Sequence, residues 1–167
     1  MIQALNIAPG AHVAHLGASD DYFTFPLADA IGPEGKVYSV DVEEKSLRMI
    51  DKGAIQRRVV NIIETILATP NDPHLPPNGV DLIFTCNTYH HLHDRVAYFT
   101  SLSRYLRPEG RITVIDRKEG SWFGSLFGHT TAKETVQREM EAAGYRLVDD
   151  FGFLSKQHFQ VFEPFRS

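Results

Sequence analysis

The sequence predicts an α/β domain built on a mainly parallel β-sheet, and three observations support this prediction. Short apolar runs with strand character alternate along the chain with segments of helical periodicity, which is typical of β-α-β units. A glycine turn follows the first of these strands, and an acid ends the second. The last two strands are joined by a link too short for a parallel crossover, so they are predicted to pair antiparallel.

In the first half of the chain, three predicted strands alternate with two predicted helices. The first helix begins at about Tyr22, buries a face that includes Ala30, and ends at Gly32, because glycine readily closes a helix. The second helix opens with Glu43 and Glu44, because acids are favourable at the positive end of the helix dipole. The strands are predicted at residues 12–16, 36–40 and 59–67.

The second half of the chain opens with a loop, because residues 69–79 contain four prolines. An apolar strand follows at 80–86, and then a helix capped at Asp94 buries a face that includes Val96 and Leu106. The remaining predicted elements are a strand at 111–116, a helix that starts with a Thr131–Glu134 capping box and ends at Gly144, and strands at 145–151 and 157–162.

Length and composition limit the class of protein. The 167 residues suit a single domain, and 43% hydrophobic with 23% charged residues is an ordinary globular balance. The net charge is −4 and no run of basic residues occurs, so nucleic acid is not an expected partner. One cysteine, Cys86, excludes an internal disulfide and suits the cytoplasm. Neither a signal peptide nor an apolar run of the roughly 20 residues needed to span a membrane is found.

A strand, a glycine turn, a helix and an acid at the end of the next strand form a nucleotide-site pattern. Here the turn begins at Gly17 and the acid is Asp41. The turn lets a ligand approach the backbone, the helix N-terminus offers free N–H groups, and the carboxylate can accept both hydroxyls of a ribose. Ligands of open α/β sheets lie outside the carboxyl ends of the strands, here residues 15–21, 41, 68–72 and 86–93.

Several stretches resemble class I S-adenosylmethionine-dependent methyltransferases of the small-molecule branch. Their first two motifs, usually beginning V-L-D-x-G-x-G-x-G, are matched by VAHLGASDDYFTFPLADAIGPEGKVYSVD. Their fourth motif, fifth strand and C-terminal helix with hairpin are matched by VDLIFTCNTYHHLHD, LRPEGRITVID, and EMEAAGYRLVDDFGFL with QHFQVFEP. The resemblance covers about Pro9 to Pro164. It implies a Rossmann-like fold with a seven-strand, mostly parallel sheet that ends in an antiparallel hairpin.

The resemblance implies S-adenosylmethionine as cofactor and transfer of its methyl group to a small-molecule acceptor. Members of this branch act on quinones, sterols, arsenicals and many other acceptors. Gly17 matches the first glycine of the turn, and Asp41 matches the ribose-binding acid. Ala68 and Thr69 match the strand tip beside the adenine, and Asn87 matches the residue that helps to hold the methionine part.

Three residues depart from the family motif. His15 replaces an acid, and Ser19 and Asp21 replace the second and third glycines. A side chain at Ser19 narrows the approach to the ligand, and the charge of Asp21 would oppose a phosphate, which argues against a dinucleotide. His15 is either a core histidine or a residue that lines the site. In the second case, cofactor affinity is expected to fall as the pH drops through about 6.5.

These departures favour an alternative, a domain without catalysis that binds the cofactor as a sensor or serves as a scaffold. Asp41 could likewise cap the helix that follows it. Family members usually carry a further N-terminal helix over the cofactor, whereas few residues precede Pro9. The site is therefore expected to be open, or covered by a partner subunit in a homo-oligomer. A nicotinamide-dependent oxidoreductase is disfavoured by the missing third glycine and by the C-terminal hairpin.

Candidate bases follow the predicted fourth and fifth strands. A base is needed only where the acceptor loses a proton, and histidine can take one near neutral pH. The candidates are His90, His91, His129 and Asp116. Adjacent histidines at a strand end point in opposite directions and cannot easily share an ion, so no metal site is predicted. The aromatic segment with Trp122, Phe123 and Phe127 is either core cover or a substrate lid.

Overall fold

The computed structural model describes residues 1–19, 22–118 and 131–165. Its strands are β1 (His12–Leu16), β2 (Lys36–Asp41), β3 (Ile63–Leu67), β4 (Val80–Cys86), β5 (Leu106–Arg117), β6 (Tyr145–Asp150) and β7 (Gln157–Pro164). They form one seven-stranded sheet in the order β3-β2-β1-β4-β5-β7-β6. The first five strands are parallel, and β7 runs antiparallel to both β5 and β6. The predicted fold class is confirmed, including the C-terminal hairpin and the pairing of β5 with β4.

Helices cover both faces of the sheet. They are α1 (Thr24–Ile31), α2 (Glu44–Arg57), α3 (Arg95–Leu102) and α4 (Lys133–Ala142). The apolar side chains of α1 and α2, among them Phe25 and Ile50, form one core with β-strand residues such as Val13 and Phe84. On the opposite face, α3 and α4 pack against Ile83, Val114 and their neighbours. We call these the α1/α2 face and the α3/α4 face.

Strand order places a crevice at the carboxyl edge of the sheet. After β1 the chain turns toward β2 and β3, and it then crosses to the other side of β1 to form β4. The segments that leave β1 and β4 therefore diverge, which is the geometry at which open α/β sheets bind ligands. No helix in the described part of the chain has the length and apolar composition needed to cross a bilayer.

Several local predictions were wrong, each for a packing reason. Helix α1 starts at Thr24 and buries Phe25 and Ala28, which leaves Ala30 exposed. Leu106, predicted on a helix, is the first residue of β5 and pairs with Val80, because a strand buries its apolar side chain equally well. The remaining differences are a β3 that begins at Ile63, an exposed Val96, and an N-cap of α4 at Ala132, one residue after the predicted Thr131.

Candidate functional site

A cavity of about 670 Å³ lies at the carboxyl ends of β1, β2 and β4. Its volume falls within the range of roughly 300–1,000 Å³ that is usual for small-molecule sites. All seven residues predicted to contact the cofactor line this cavity: His15, Gly17, Ser19, Asp41, Ala68, Thr69 and Asn87. His91, a candidate base, lines it as well. Residues that are distant in sequence are therefore brought together where the nucleotide-site pattern predicts a ligand.

Gly17 holds the turn that follows β1 in a conformation that requires glycine. Its φ is +71°, and its N–H donates a hydrogen bond of 2.9 Å to the carbonyl oxygen of Val40. A Cβ atom at this position would lie 2.3 Å from Oγ1 of Thr88. The Thr88 hydroxyl in turn donates to the carbonyl oxygens of Leu16 and Cys86. The turns after β1 and β4 are thus fitted against each other with no room for a side chain.

Asp41 presents a carboxylate to the cavity at the end of β2. Its Oδ1 accepts a hydrogen bond of 2.8 Å from the N–H of Glu43, which is itself the N-cap residue of α2. Its carbonyl oxygen accepts a bond from the N–H of Ala68, which fixes the adjoining tip of β3. Burial raises the pKa of Asp41 above its ordinary value. The carboxylate therefore orders the loop before α2 but does not stand at the N-cap position of that helix.

His15 has features of both predicted roles. The side chain is 1% exposed and lies edge-on to the rings of Phe23 and Phe84, yet it borders the cavity. Its Nδ1 is 3.0 Å from Oγ1 of Thr24, which is 3.1 Å from Oγ of Ser39. Burial lowers the pKa of His15 from 6.5 to about 4. Any loss of affinity through protonation of His15 is therefore expected at a pH well below 6.5, because this ring stays neutral until the pH is much lower.

Asn87 turns the chain away from β4 with its side-chain amide at the cavity. Its φ of +55° lies in the left-handed region, and its N–H donates to the carbonyl oxygen of Ile115. Its side-chain Oδ1 accepts a bond of 2.9 Å from Nε2 of Gln157, the first residue of β7. Gln157 is not among the site residues predicted from the sequence. Its position at the start of a strand that runs antiparallel from the carboxyl edge is the signal that could have identified it.

Two of the candidate bases, His90 and Asp116, form a hydrogen-bonded pair. Neither lines the cavity, but their chain neighbours His91 and Arg117 do. Nδ1 of His90 lies 2.7 Å from Oδ1 of Asp116, and the N–H of His90 donates to Oδ2 over 3.0 Å. The N–H of Arg117 also donates to Oδ1, at 2.8 Å. The side chains of His90 and Asp116 are 6% and 0% exposed. Since the carboxylate accepts these bonds, Nδ1 of the neutral ring carries the hydrogen and Nε2 carries the lone pair.

The other candidates are placed differently. The ring centre of His91 is 4.1 Å from that of His90, and His91 is exposed on the cavity side. His129, together with Asp21 and the aromatic residues Trp122, Phe123 and Phe127, lies outside the described residues. Within the ranges that are described, no three His, Cys, Asp or Glu side chains are grouped so that they could hold a metal ion.

Comparison with known proteins gives the family. Residues 14–114 match a family model described as a methyltransferase domain. Nocamycin O-methyltransferase of Saccharothrix syringae is 26% identical over 112 residues, which are 67% of this chain and 40% of that protein. Demethylmenaquinone methyltransferase of Geobacillus stearothermophilus is 22% identical over 124 residues, 74% of this chain and 53% of that protein. The chain spans about half the length of these curated relatives.

Solved structures share the fold. A SAM-dependent methyltransferase from Aquifex aeolicus aligns with a TM-score of 0.88 and 22% identity, covering 96% of this chain and 86% of that one. The CcbJ methyltransferase from Streptomyces caelestis aligns with a TM-score of 0.80 and 15% identity, covering 98% and 87%. Because the family model covers more than half of its residues, the chain belongs to the class I S-adenosylmethionine-dependent methyltransferases.

Proposed function

We propose that this chain transfers a methyl group from S-adenosylmethionine to a hydroxyl oxygen of a neutral small molecule, with His90 as the base. The observation that carries the proposal is the buried hydrogen-bonded pair of His90 and Asp116, whose chain neighbours His91 and Arg117 line the cavity. An acceptor hydroxyl must lose its proton when it is methylated, and this pair is the arrangement that could receive one.

The residues around the cavity suit the cofactor. The volume is that of a small-molecule site, and the Gly17 turn, packed against Thr88, forms part of the cavity wall. Asp41 would accept hydrogen bonds from the ribose, and Asn87, held by Gln157, would contact the methionine end. The sulfonium and ammonium groups of the cofactor are positive. A neutral His15, whose pKa burial lowers to about 4, does not repel them.

When bound, S-adenosylmethionine supplies a methyl carbon activated by its sulfonium leaving group, so the carbon–sulfur bond breaks with its electron pair on sulfur as the oxygen–carbon bond forms. The protein must hold the acceptor in line with that bond. Nε2 of His90 takes the acceptor's proton, and Asp116 orients the ring and stabilises the positive charge that develops on it. We assign no proton transfer to His91, which faces the cavity.

A small molecule is favoured as the acceptor over nucleic acid. The net charge of −4 lacks the basic character of a nucleic-acid site. Two relatives are named for small-molecule reactions, one on nocamycin and one on demethylmenaquinone. The alternative, a cofactor-binding or scaffold module, rests on the departures from the family motif at His15, Ser19 and Asp21. Ser19 lines the cavity and is exposed.

Two measurements test the proposal. Titration calorimetry should detect binding of S-adenosylmethionine and S-adenosylhomocysteine to the full chain, and no binding of NAD. Labelled methyl groups should then be transferred to phenols, and His90→Gln should lower kcat by at least about 100-fold while S-adenosylhomocysteine binds as before. Cofactor binding without transfer to any acceptor would favour the sensor or scaffold alternative.

A further inference from the structure

Strand β7 carries polar side chains inside the core at two positions. His158 is 2% exposed and Gln160 is 0% exposed. Nδ1 of His158 and both amide atoms of Gln160 are buried and have no hydrogen-bond partner among the residues that the structure describes. Buried polar atoms are nearly always paired in native proteins, and leaving them unpaired costs free energy. These atoms therefore require an explanation.

Both side chains lie on the α3/α4 face, next to the hydrogen-bonded pair of His90 and Asp116. Alternate residues of a strand point to the same side of the sheet, so His158 and Gln160 share a face. His158 is the cross-strand partner of Asp116, and Gln160 is the partner of Val114, which belongs to the core of that face. Directly opposed residues of an antiparallel pair have Cβ atoms about 5 Å apart. His158 thus lies opposite the carboxylate that holds His90, and Gln160 lies one residue pair further along the same face.

The hydrogen-bonding capacity of the two residues can be worked out. Nε2 of His158 is 3.2 Å from the carbonyl oxygen of Thr131, which can only accept, so Nε2 carries the hydrogen. Burial lowers the pKa of His158 below its ordinary value, while Asp116 and Asp150 act to raise it and Lys133 acts to lower it. The ring is neutral and Nδ1 presents a lone pair. Gln160 adds one donor group and one acceptor, and neither residue carries a charge.

We propose that His158 and Gln160 anchor a second oxygen-bearing group of the methyl acceptor, a neutral hydroxyl or carbonyl. A hydroxyl can donate to Nδ1 of His158 and accept from the amide of Gln160, whereas a carboxylate or phosphate would be repelled by Asp116. The inference rests on the proposed function, because it places one oxygen of the acceptor at His90 and another at β7. It assigns the site to neutral acceptors with at least two oxygens, such as dihydroxy-aromatic compounds.

The test uses four probes that differ only in their hydroxyl groups: phenol, catechol, resorcinol and hydroquinone. The full chain, labelled with ¹⁵N-histidine and saturated with S-adenosylhomocysteine, is titrated with each. At least one dihydroxybenzene should shift the Nδ1 resonance of His158, assigned by its loss in His158→Phe, and phenol should not. In assays with S-adenosylmethionine, that same probe should have a KM about tenfold below that of phenol, the difference expected from a hydrogen bond in a buried site.

Variants separate anchoring from a structural role. Gln160→Met keeps the side-chain length, removes both amide atoms, and should abolish the preference for two hydroxyls without weakening S-adenosylhomocysteine binding. Thr113→Val is the matched control, because Oγ1 of Thr113 is also buried and unpaired but lies on the opposite face of β5. This control should keep the preference.

Three outcomes would overturn the inference: an unmoved His158 resonance with all four probes, equal responses to phenol and the dihydroxybenzenes, or a preference that survives Gln160→Met. The first would mean that buried water alone satisfies these groups. A His158 shift that Gln160→Met abolishes, without methyl transfer to any probe, would retain the anchoring site and reject the proposed function.

Discussion

Nδ1 of His90 and Oδ1 of Asp116 lie 2.7 Å apart, joined by a hydrogen bond in which the aspartate is wholly buried. The same carboxylate accepts hydrogen bonds from two backbone N–H groups, that of His90 at Oδ2 and that of Arg117 at Oδ1. The aspartate therefore fixes both the ring and the chain that carries it. Under the proposed function, Asp116 is therefore a positioning residue, and its contribution should appear in turnover rather than in cofactor affinity.

Asp116→Asn should lower kcat for methyl transfer by about 100-fold or more, because a neutral amide cannot stabilise the imidazolium that forms when His90 takes a proton. Steady-state kinetics from pH 6 to 9, with S-adenosylhomocysteine affinity measured in parallel, would check this. A parallel loss of cofactor affinity would instead show that Asp116 supports the cofactor site.

Gly17→Ala should destabilise the protein more than the same change at Gly10. Both glycines have positive φ, +71° and +79°, which costs an alanine about 1–3 kcal/mol. The new Cβ would meet Thr88 at 2.3 Å in the first case and only Glu34 Cβ at 3.9 Å in the second. Overpacking adds about 1–3 kcal/mol at Gly17. Urea denaturation of both variants would measure the difference.

The double variant Gly17→Ala with Thr88→Ala isolates the contact between the two turns. Shortening Thr88 removes the atom nearest to the new Cβ, so the two changes together should cost less than the sum of the separate changes. Additive effects would show that strain at φ alone accounts for the loss, and that Thr88 does not hold Gly17 in place.

The sequence predicted most of the fold and the residues of the cavity because both depend on local patterns. Apolar runs located all seven strands, and the resemblance to methyltransferase motifs at the ends of β1, β2, β3 and β4 identified seven residues that line one cavity. The sequence could not predict which side chains contact each other. Nothing local indicates that Gln157 bonds Asn87, or that His158 faces Asp116, because those pairs depend on the register of β7 against the sheet. Leu106 shows the same limit, since its hydrophobicity suits a helix or a strand equally.

Asp41→Asn should separate ligand binding from loop ordering. The asparagine oxygen can still accept the N–H of Glu43, so the loop before α2 should keep its structure. Affinity for S-adenosylhomocysteine should fall by about 2 kcal/mol, as expected for a lost hydrogen bond to a charged group. Calorimetry would measure this, and thermal unfolding without ligand would serve as the control. An unchanged affinity would leave Asp41 with a structural role only.

The ionisation of Asp41 should also appear in the pH dependence of stability. Burial raises its pKa in the folded protein, so folding favours the protonated form. The contribution of this group is therefore fully present below its unfolded pKa of about 4 and is lost as the pH rises through the folded value. As the pH rises across that interval, Asp41→Asn should therefore become more stable relative to the unchanged protein, as measured by the unfolding free energy. A constant difference would contradict the raised pKa.

His15 should make stability depend on pH in the opposite direction. Burial lowers its pKa from 6.5 to about 4, so between these pH values His15 is protonated in the unfolded chain but neutral in the folded protein. Its contribution is complete above about pH 6.5 and is lost as the pH falls toward 4, a change of about 3 kcal/mol by linkage. His158 acts in the same direction, so the unchanged protein cannot isolate His15. His15→Gln retains a polar partner for Thr24 but does not titrate. As the pH falls from 7 to 4, the variant should therefore gain stability relative to the unchanged protein.

The affinity of the unchanged protein for S-adenosylhomocysteine, corrected for unfolding, should stay level down to about pH 5.5, because the His15 ring beside the cavity remains neutral there. A fall in affinity centred near pH 6.5 that His15→Gln removes would mean that His15 is protonated in the folded protein, and would reject the buried, neutral ring.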